Sequence, residues 1–374
     1  MNRCPACGKT YDDEARFCTR DGSKLVPMQA RDLATPASTT ADVAAAPPPA
    51  AEPSPGRATV GGRAEAPAPV THGNLTGRIL DGRYQIARKI GEGGMSFVYL
   101  ASDVATEQRY AIKVLSAALS ADANAMARLR REASLGMRLA HPNVCHIIRL
   151  GETQDGLVYV VMPYVEGEVL SDRNNRLGTI PLADVVPFVR DIAAGLHVAH
   201  ELKIVHRDLK PENVMISAKS SGGERAVVMD FGLAKERRAD AELQKLTATG
   251  IILGTPEFMS PEQLRGRPLD PRTDIYSLAL MTYEMLTGKL PFTGRTQQEM
   301  MIARLRSEPM PLRTAAPALA LPEAVERVLA KGMQRDPADR FPTAPEFAQA
   351  LAAAAKGQSG GGGDSGVFAR LFGR

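Results

Sequence analysis

The sequence predicts an α+β protein in which a small β-rich lobe with one main helix precedes a larger helical lobe. Short β-branched runs broken by glycines follow Arg83 and are typical of strands. From Leu182 onward the apolar residues recur at helical intervals, so that part of the chain is expected to be mainly helical. A short Cys-bearing module stands before both lobes.

The elements of the two lobes follow from these patterns in chain order. The predicted strands of the first lobe are residues 84–86, 97–100, 110–114 and 158–161. Residues 124–139, rich in Ala, Arg, Leu and Met at helical spacing, predict one helix between the third and fourth strands. The first helix of the second lobe is predicted from Val185, Val189, Ile192 and Leu196. We expect one domain over residues 78–354, with its first lobe ending near residue 163.

The overall composition is that of a globular chain with a mild positive charge. Of 374 residues, 44% are hydrophobic and 24% are charged, and the net charge is +4. Basic and acidic residues are interleaved, so no nucleic-acid partner is indicated. No apolar stretch long enough to form a transmembrane segment occurs, and the N-terminus lacks the apolar core of a signal peptide. We therefore expect a cytoplasmic protein.

Two segments have the composition of flexible chain. Residues 28–77 are rich in Ala and Pro and have too few large apolar side chains to offset the entropy of folding, which predicts a disordered linker. Residues 355–374 contain a glycine run and predict a flexible tail, which closes with Val-Phe-Ala-Arg-Leu-Phe-Gly-Arg.

The N-terminal module, residues 1–27, resembles a zinc ribbon. Cys4 and Cys7 are separated by two residues, as are Cys18 and Asp21, and a glycine follows each pair. Two such knuckles put four ligands on one tetrahedral Zn²⁺, and a carboxylate oxygen is an accepted ligand. We expect one Zn²⁺ held by three cysteines and Asp21, and a binding partner whose identity the sequence does not give. The alternative is a ribbon that holds no metal or completes its site with water.

A glycine-rich turn and a lysine suggest a phosphate site in the first lobe. Residues 90–98 read Ile-Gly-Glu-Gly-Gly-Met-Ser-Phe-Val, and a turn without side chains lets backbone N–H groups approach phosphates. Lys113 ends the apolar run Ala-Ile-Lys, where its ammonium can neutralise phosphate. Glu132, within the predicted helix, can hold that lysine in place.

The second lobe contains the most specific motif. Residues 206–213 read His-Arg-Asp-Leu-Lys-Pro-Glu-Asn, and residues 229–232 read Met-Asp-Phe-Gly. Phosphoryl transfer requires a carboxylate to orient the attacking hydroxyl, oxygen ligands for Mg²⁺ and cations near the phosphate. Asp208, Asn213 with Asp230, and Lys210 supply these groups.

Over residues 84–354 the ordered motifs resemble the eukaryotic-like (Hanks-type) serine/threonine protein kinases of bacteria. The resemblance implies a two-lobed kinase fold that uses ATP with Mg²⁺, or Mn²⁺ in its place, to phosphorylate serine and threonine in protein substrates. It implies that Asp208 is the catalytic base, that Lys210 contacts the transferring phosphate, that Asn213 and Asp230 hold the metal ions, and that Lys113 pairs with Glu132.

The resemblance also assigns nucleotide contacts and structural pairs. The residues it places around ATP are Ile90, Gly91, Glu92, Gly93, Gly94, Val98, Ala111, Lys113, Met162, Pro163, Val165 and Met215. It implies that Asp274 braces the catalytic loop and that Arg340 pairs with Glu262. Ser96 replaces the third loop glycine, and no departure from the family pattern removes a catalytic group.

The activation segment carries candidate regulatory threonines. In the family an arginine at the position of Arg207 couples the catalytic loop to a phosphate on this segment. Thr247 and Thr249 lie there, and we expect autophosphorylation in trans within a transient homodimer; the alternative is that they are unmodified loop residues. The family uses the hydroxyl at the position of Thr255 near Asp208, so Thr255 is assigned to the catalytic set.

Two rival functions follow from the same residues. A pseudokinase scaffold acting through the zinc ribbon has no need of Lys113, Asp208 and Asp230, all of which are present. A small-molecule kinase is disfavoured because residues 254–262 match the segment that forms the peptide platform in protein kinases.

Overall fold

The computed structural model describes residues 2–3, 10–11, 26–27, 74–93, 96–116, 120, 122–231 and 256–357. The chain divides into two compact units, Met1–Ala66 and Pro67–Arg374. In the first unit three short antiparallel strands form one sheet in the order β2-β1-β3. They are β1 (Asn2–Arg3), β2 (Thr10–Tyr11) and β3 (Val26–Pro27). The predicted zinc ligands Cys4, Cys7, Cys18 and Asp21 lie outside the described residues.

The smaller lobe of the second unit is built on a six-stranded antiparallel sheet in the order β4-β5-β6-β7-β9-β8. Its strands are β4 (Ile79–Leu80), β5 (Tyr84–Gly93), β6 (Ser96–Asp103), β7 (Arg109–Leu115), β8 (Arg149–Glu152) and β9 (Val158–Pro163). All four β-branched runs predicted as strands fall within this sheet. The side chains of Tyr84, Tyr99 and Tyr159 are buried in a cluster of this sheet, where they remove large apolar areas from water.

Helix α1 (Ala123–Gly136) lies between β7 and β8 in the chain. It begins where Asp122 caps it by accepting hydrogen bonds from the backbone N–H groups of Asn124 and Ala125. The predicted helix continued to residue 139, and the observed one ends three residues earlier, at Gly136. A Cβ added to Gly136 would lie 2.8 Å from Cδ1 of Ile147, so the next segment packs tightly against the end of the helix.

The larger lobe is mainly helical. Its helices are α2 (Leu170–Leu177), α3 (Leu182–Glu201), α4 (Pro261–Leu264), α5 (Arg272–Thr287), α6 (Gln297–Arg306), α7 (Leu312–Ala315), α8 (Glu323–Gly332) and α9 (Ala344–Ala355). Helix α3 buries the apolar stripe predicted from its spacing, and α5 is buried along nearly its whole length. No helix in the described ranges is long and apolar enough to cross a membrane.

A small sheet positions the catalytic segments under the first lobe. It contains β10 (Glu168–Val169), β11 (Val214–Ala218) and β12 (Glu224–Val228) in the order β10-β11-β12. The chain before β8 joins β12: the N–H of Cys145 donates to the C=O of Val228 at 2.8 Å, and the N–H of Val228 donates to the C=O of Asn143 at 2.9 Å. These bonds fix where Met229 and Asp230 emerge from β12.

Candidate active site

The glycine-rich turn is the hairpin between β5 and β6. Gly91 lies opposite Val98 and Gly93 lies opposite Ser96, with a register shift between Lys89 and Gly91. A Cβ on Gly91 would approach Val98 no closer than 3.5 Å, an ordinary contact. The packing of the hairpin therefore does not require a glycine at position 91. A ligand that approaches the backbone closely would be a reason for one. Gly94 lies outside the described residues.

Lys113 lies on β7, facing the carboxylate of Asp230. Its Nζ is 3.0 Å from both carboxylate oxygens, and its side chain is 15% exposed. Asp230 has a φ of 53°, in the left-handed region, which aspartate tolerates better than most residues. Glu132 is half-buried on α1, and its predicted pairing with Lys113 stays a prediction.

The catalytic loop holds Asp208 from two sides. The side-chain amide of Asn213 donates to the Asp208 carboxylate at 2.8 Å and to its backbone C=O at 2.7 Å. The Nζ of Lys210 lies 3.9 Å from the same carboxylate. The carboxylate is therefore oriented before any substrate arrives, with a cation beside it for phosphate charge.

Asp274, on α5, braces the catalytic loop, as expected. Its buried carboxylate accepts hydrogen bonds from the backbone N–H groups of His206 and Arg207, at 2.8 Å and 3.0 Å. His200 also contacts it, at 2.8 Å from Nε2. Burial alone would raise the pKa of Asp274, but the hydrogen bond to His200 and the backbone donors outweigh it, and the pKa falls below its ordinary value. His200 is thus a buried histidine of the helical core.

Five of the residues that the family resemblance places around ATP come together at the junction of the lobes. Ala111 and Met162 are buried in one apolar cluster, and Val98, Val165 and Met215 pack against it half-buried. The cluster thus presents partly exposed apolar surface from both lobes. Binding of a flat ring such as the adenine of ATP requires a surface of this kind. Ile90, on β5, is 36% exposed.

Cys145 lies in the same apolar cluster. It is 5% exposed, and its thiol donates a weak hydrogen bond to the C=O of Pro163 at 3.6 Å. Burial, with a smaller contribution from the charge of Asp230, raises the pKa of the thiol to about 12. Such a thiol stays protonated and unreactive, so Cys145 acts as a small apolar side chain of the core.

The end of the activation segment is anchored to the helical core. Arg340 makes a bidentate ion pair with Glu262, at 2.7 and 2.8 Å, and this predicted pair is confirmed. Thr273 donates to the same carboxylate at 2.8 Å, and Ser277 donates to the C=O of Phe258 at 2.8 Å. Thr247, Thr249 and Thr255 lie outside the described residues.

Gln263 is a buried residue that the sequence predictions did not include. Its side-chain amide donates to the C=O of Arg207 at 2.7 Å, and so joins the activation segment to the catalytic loop. One signal for it was present: Ser260 and Gln263 are spaced as a capping box, which forms in the structure. That signal predicts a helix start and carries no information about the bond to the catalytic loop.

The oxygen atoms of Asn213 and Asp230 fit a hard divalent cation. Because the NH₂ group of Asn213 faces Asp208, its carbonyl oxygen is left as an acceptor, and the carboxylate of Asp230 adds two more oxygens. Carbonyl and carboxylate oxygens are the ligands that Mg²⁺ prefers. Within the described ranges no group of three or more His, Cys, Asp or Glu residues converges as a separate metal site.

Comparison with known proteins agrees with this geometry. The family model of the protein kinase domain matches residues 84–351. The serine/threonine-protein kinase pkn2 of Myxococcus xanthus is 41% identical over 276 residues, which is 74% of this chain and 33% of that protein. The serine/threonine-protein kinase PknB of Mycobacterium leprae is 36% identical over 282 residues, 75% of this chain and 44% of that protein.

Among solved structures, the kinase domain of PknI from Mycobacterium tuberculosis is similar with a TM-score of 0.57 and 29% identity, and covers 75% of this chain and 99% of that one. The matched region thus spans less than half of the length of those two curated relatives and nearly all of the isolated kinase domain. The chain belongs to the protein kinase family, with the serine/threonine kinases of bacteria as its relatives.

Proposed function

We propose that this protein is a serine/threonine protein kinase that transfers the γ-phosphate of ATP to hydroxyl groups of protein substrates. The observation that carries the proposal is the preorganised carboxylate of Asp208, held by Asn213 with Lys210 beside it. A carboxylate fixed in this way can accept the proton of a substrate hydroxyl and aim that oxygen at phosphorus.

The other charged residues have complementary tasks. Lys113 and Lys210 are the cations that would compensate the negative charge of the phosphates, one from each lobe. Asn213 and Asp230 would hold Mg²⁺ or Mn²⁺ through oxygen atoms. A bound ion would neutralise part of the negative charge of the phosphates.

The assignment is tested with the full chain and its Asp208→Asn variant. Both are incubated with Mg-ATP and a generic basic protein substrate, and phosphosites are mapped by mass spectrometry. Asn keeps the size and the contact with Asn213 but is not a base, so we expect the rate to fall by roughly 10²–10⁴-fold. Equal phosphate incorporation by the two proteins would contradict the kinase assignment and favour the pseudokinase scaffold.

Activation by autophosphorylation is part of the proposal. Thr247 and Thr249 are the expected acceptors, each modified by a second copy in a transient homodimer. A Thr247→Ala/Thr249→Ala variant is expected to stay at the activity of phosphatase-treated wild type after incubation with ATP. Full activation of the double variant would exclude these two sites.

For the N-terminal residues 1–27 we propose a zinc ribbon with Cys4, Cys7, Cys18 and Asp21 as ligands. Residues 28–77 would tether it to the kinase domain, residues 78–354, and residues 355–374 would form a flexible tail. Metal analysis of the full chain should find about one zinc per chain, and none in a Cys4→Ser/Cys18→Ser variant. Equal zinc in both proteins would contradict the ligand assignment.

The binding partner of the ribbon and a cytoplasmic location of the protein remain predictions. Crosslinking would test the first, and cell fractionation would test the second.

A further inference from the structure

We infer that Gln263 is a positioning residue for catalysis, which holds the peptide unit directly before Asp208 through its hydrogen bond to the C=O of Arg207. This inference rests on the proposed phosphotransfer by Asp208. The donor atom Nε2 lies 2.7 Å from the carbonyl oxygen, and the two residues are 56 positions apart in the chain. The bond therefore fixes one element relative to another rather than closing a local turn.

The orientation of the Gln263 amide is determined by its two neighbours. Its Oε1 accepts the backbone N–H of Ser260 at 2.9 Å, and its NH₂ group faces the carbonyl of Arg207. If the amide were rotated by a half turn, its NH₂ group would face the N–H of Ser260 and its oxygen would face the C=O of Arg207, and both hydrogen bonds would be lost. Gln263 is 6% exposed, so water does not readily replace either partner.

The backbone at Arg207 needs to be held from both sides. Arg207 has a φ of 66°, in the left-handed region, which is unfavourable for a residue with a Cβ. Its N–H is bound by Asp274 at 3.0 Å and its C=O by Gln263 at 2.7 Å. The Asp208 carboxylate leaves the chain immediately after this unit, so a rotation of the peptide would move the base away from its position beside Asn213.

The bond also links the catalytic loop to the segment that the family uses as its peptide platform. Gln263 lies in α4, one residue after Glu262, which is locked to Arg340 at 2.7 Å. A displacement of this anchored segment would be transmitted through the Gln263 amide to Arg207. Gln263 is therefore placed to couple the position of the activation segment to the orientation of Asp208.

Two substitutions separate the donor from the rest of the side chain. Gln263→Glu keeps the shape and the oxygen that accepts from Ser260, but it sets a carboxylate oxygen against the carbonyl of Arg207. Gln263→Met removes both hydrogen bonds at similar volume. Thr343→Ala is the matched control, because it removes a cap at the start of α9, where the hydroxyl of Thr343 accepts from Glu346 N–H at 3.4 Å, far along the chain from the catalytic loop.

At about pH 8 we expect both Gln263 variants to lower kcat by about tenfold, with KM for ATP within about twofold of wild type. In Gln263→Glu, a carboxyl that faces a carbonyl oxygen binds its proton more tightly and, once protonated, can donate to Arg207. Its kcat relative to wild type should therefore recover as the pH is lowered toward about 6, whereas that of Gln263→Met should not. Thr343→Ala should lower the melting temperature and leave kcat unchanged.

Hydrogen exchange tests the inference without any turnover. In the nucleotide-free protein, the peptide that covers residues 206–210 should exchange faster in Gln263→Glu than in wild type, while the strands of the first lobe exchange equally. If wild type transfers no phosphate, the proposed function fails and the exchange result alone decides the inference. Unchanged exchange of residues 206–210, or a kcat of Gln263→Glu within twofold of wild type at about pH 8, would overturn it.

Discussion

Loss of the proton from the carboxyl group of Glu284, on α5, should destabilise the folded protein as the pH rises through the neutral range. Burial, followed by the negative charge of Glu212, raises its pKa from 4.5 to about 7, and the hydrogen bond from Asn174 at 3.2 Å only partly offsets this. The folded protein therefore keeps a proton on Glu284 that the unfolded chain releases. Because unfolding releases a proton between these two values, stability falls as the pH rises from 4.5 to about 7 and stays reduced above that.

The size of the effect follows from the two pKa values. The full shift corresponds to about 3 kcal/mol, and the part lost between about pH 5.5 and about pH 8.5 is about 2 kcal/mol. A glutamine in place of Glu284 is neutral at every pH and of similar size, so Glu284→Gln removes this loss. For a domain of this size, the variant should gain about 4–8 °C in melting temperature relative to wild type when the pH is raised over that interval.

The measurement is a thermal melt of wild type and Glu284→Gln at both pH values, in the absence of nucleotide. The quantity of interest is the change in the difference between the two melting temperatures. Glu201→Gln, at the exposed end of α3, controls for the loss of a negative charge, and its difference should be the same at both pH values. If the difference in melting temperature between Glu284→Gln and wild type does not change with pH, the pKa of Glu284 is not raised by burial and by the charge of Glu212, and the reasoning is refuted.

Two further predictions concern buried groups. Arg340→Met leaves the carboxylate of Glu262 buried without its partner, and should cost about 3–5 kcal/mol of unfolding free energy by chemical denaturation; the Arg340→Met/Glu262→Met double variant should recover part of it. Cys145 should resist iodoacetamide at about pH 8 in the native protein and react after denaturation, as followed by peptide mapping. Loss of less than about 1 kcal/mol in the first case, or native labelling of Cys145 in the second, would contradict the structure.

Strand and helix positions were predictable where the side chains alternate or recur around a core. The run 110–114 became part of β7 and the stripe from Val185 to Leu196 became the buried face of α3. Strand β8 (Arg149–Glu152) was not predicted, because Arg-Leu-Gly-Glu has neither β-branched residues nor a clear apolar face. It is a strand because it pairs with β9 at the edge of the sheet, and that pairing is not encoded in its own residues.

The catalytic groups were predictable for a different reason, namely that several of them are adjacent in one motif. Asp208 and Asn213 are five residues apart, so a short loop brings them into contact at 2.8 Å. Gln263 also contacts that loop, but it lies 56 positions from its partner Arg207 in the chain. A single buried amide has no periodicity and no charged partner, so its contact becomes visible only when both segments have been placed in space.

The contact between Lys113 and Asp230 shows which part of an ion pair local sequence does not determine. The two residues are 117 positions apart in the chain, and Nζ of Lys113 lies 3.0 Å from both carboxylate oxygens of Asp230. Each residue could be assigned to a phosphate or metal site from its own motif, but neither motif contains the other. Their contact depends on where β12 ends relative to β7 and on the left-handed backbone at Asp230, neither of which local sequence determines. The pairing of Lys113 with Glu132, which the family resemblance implies, stays a prediction.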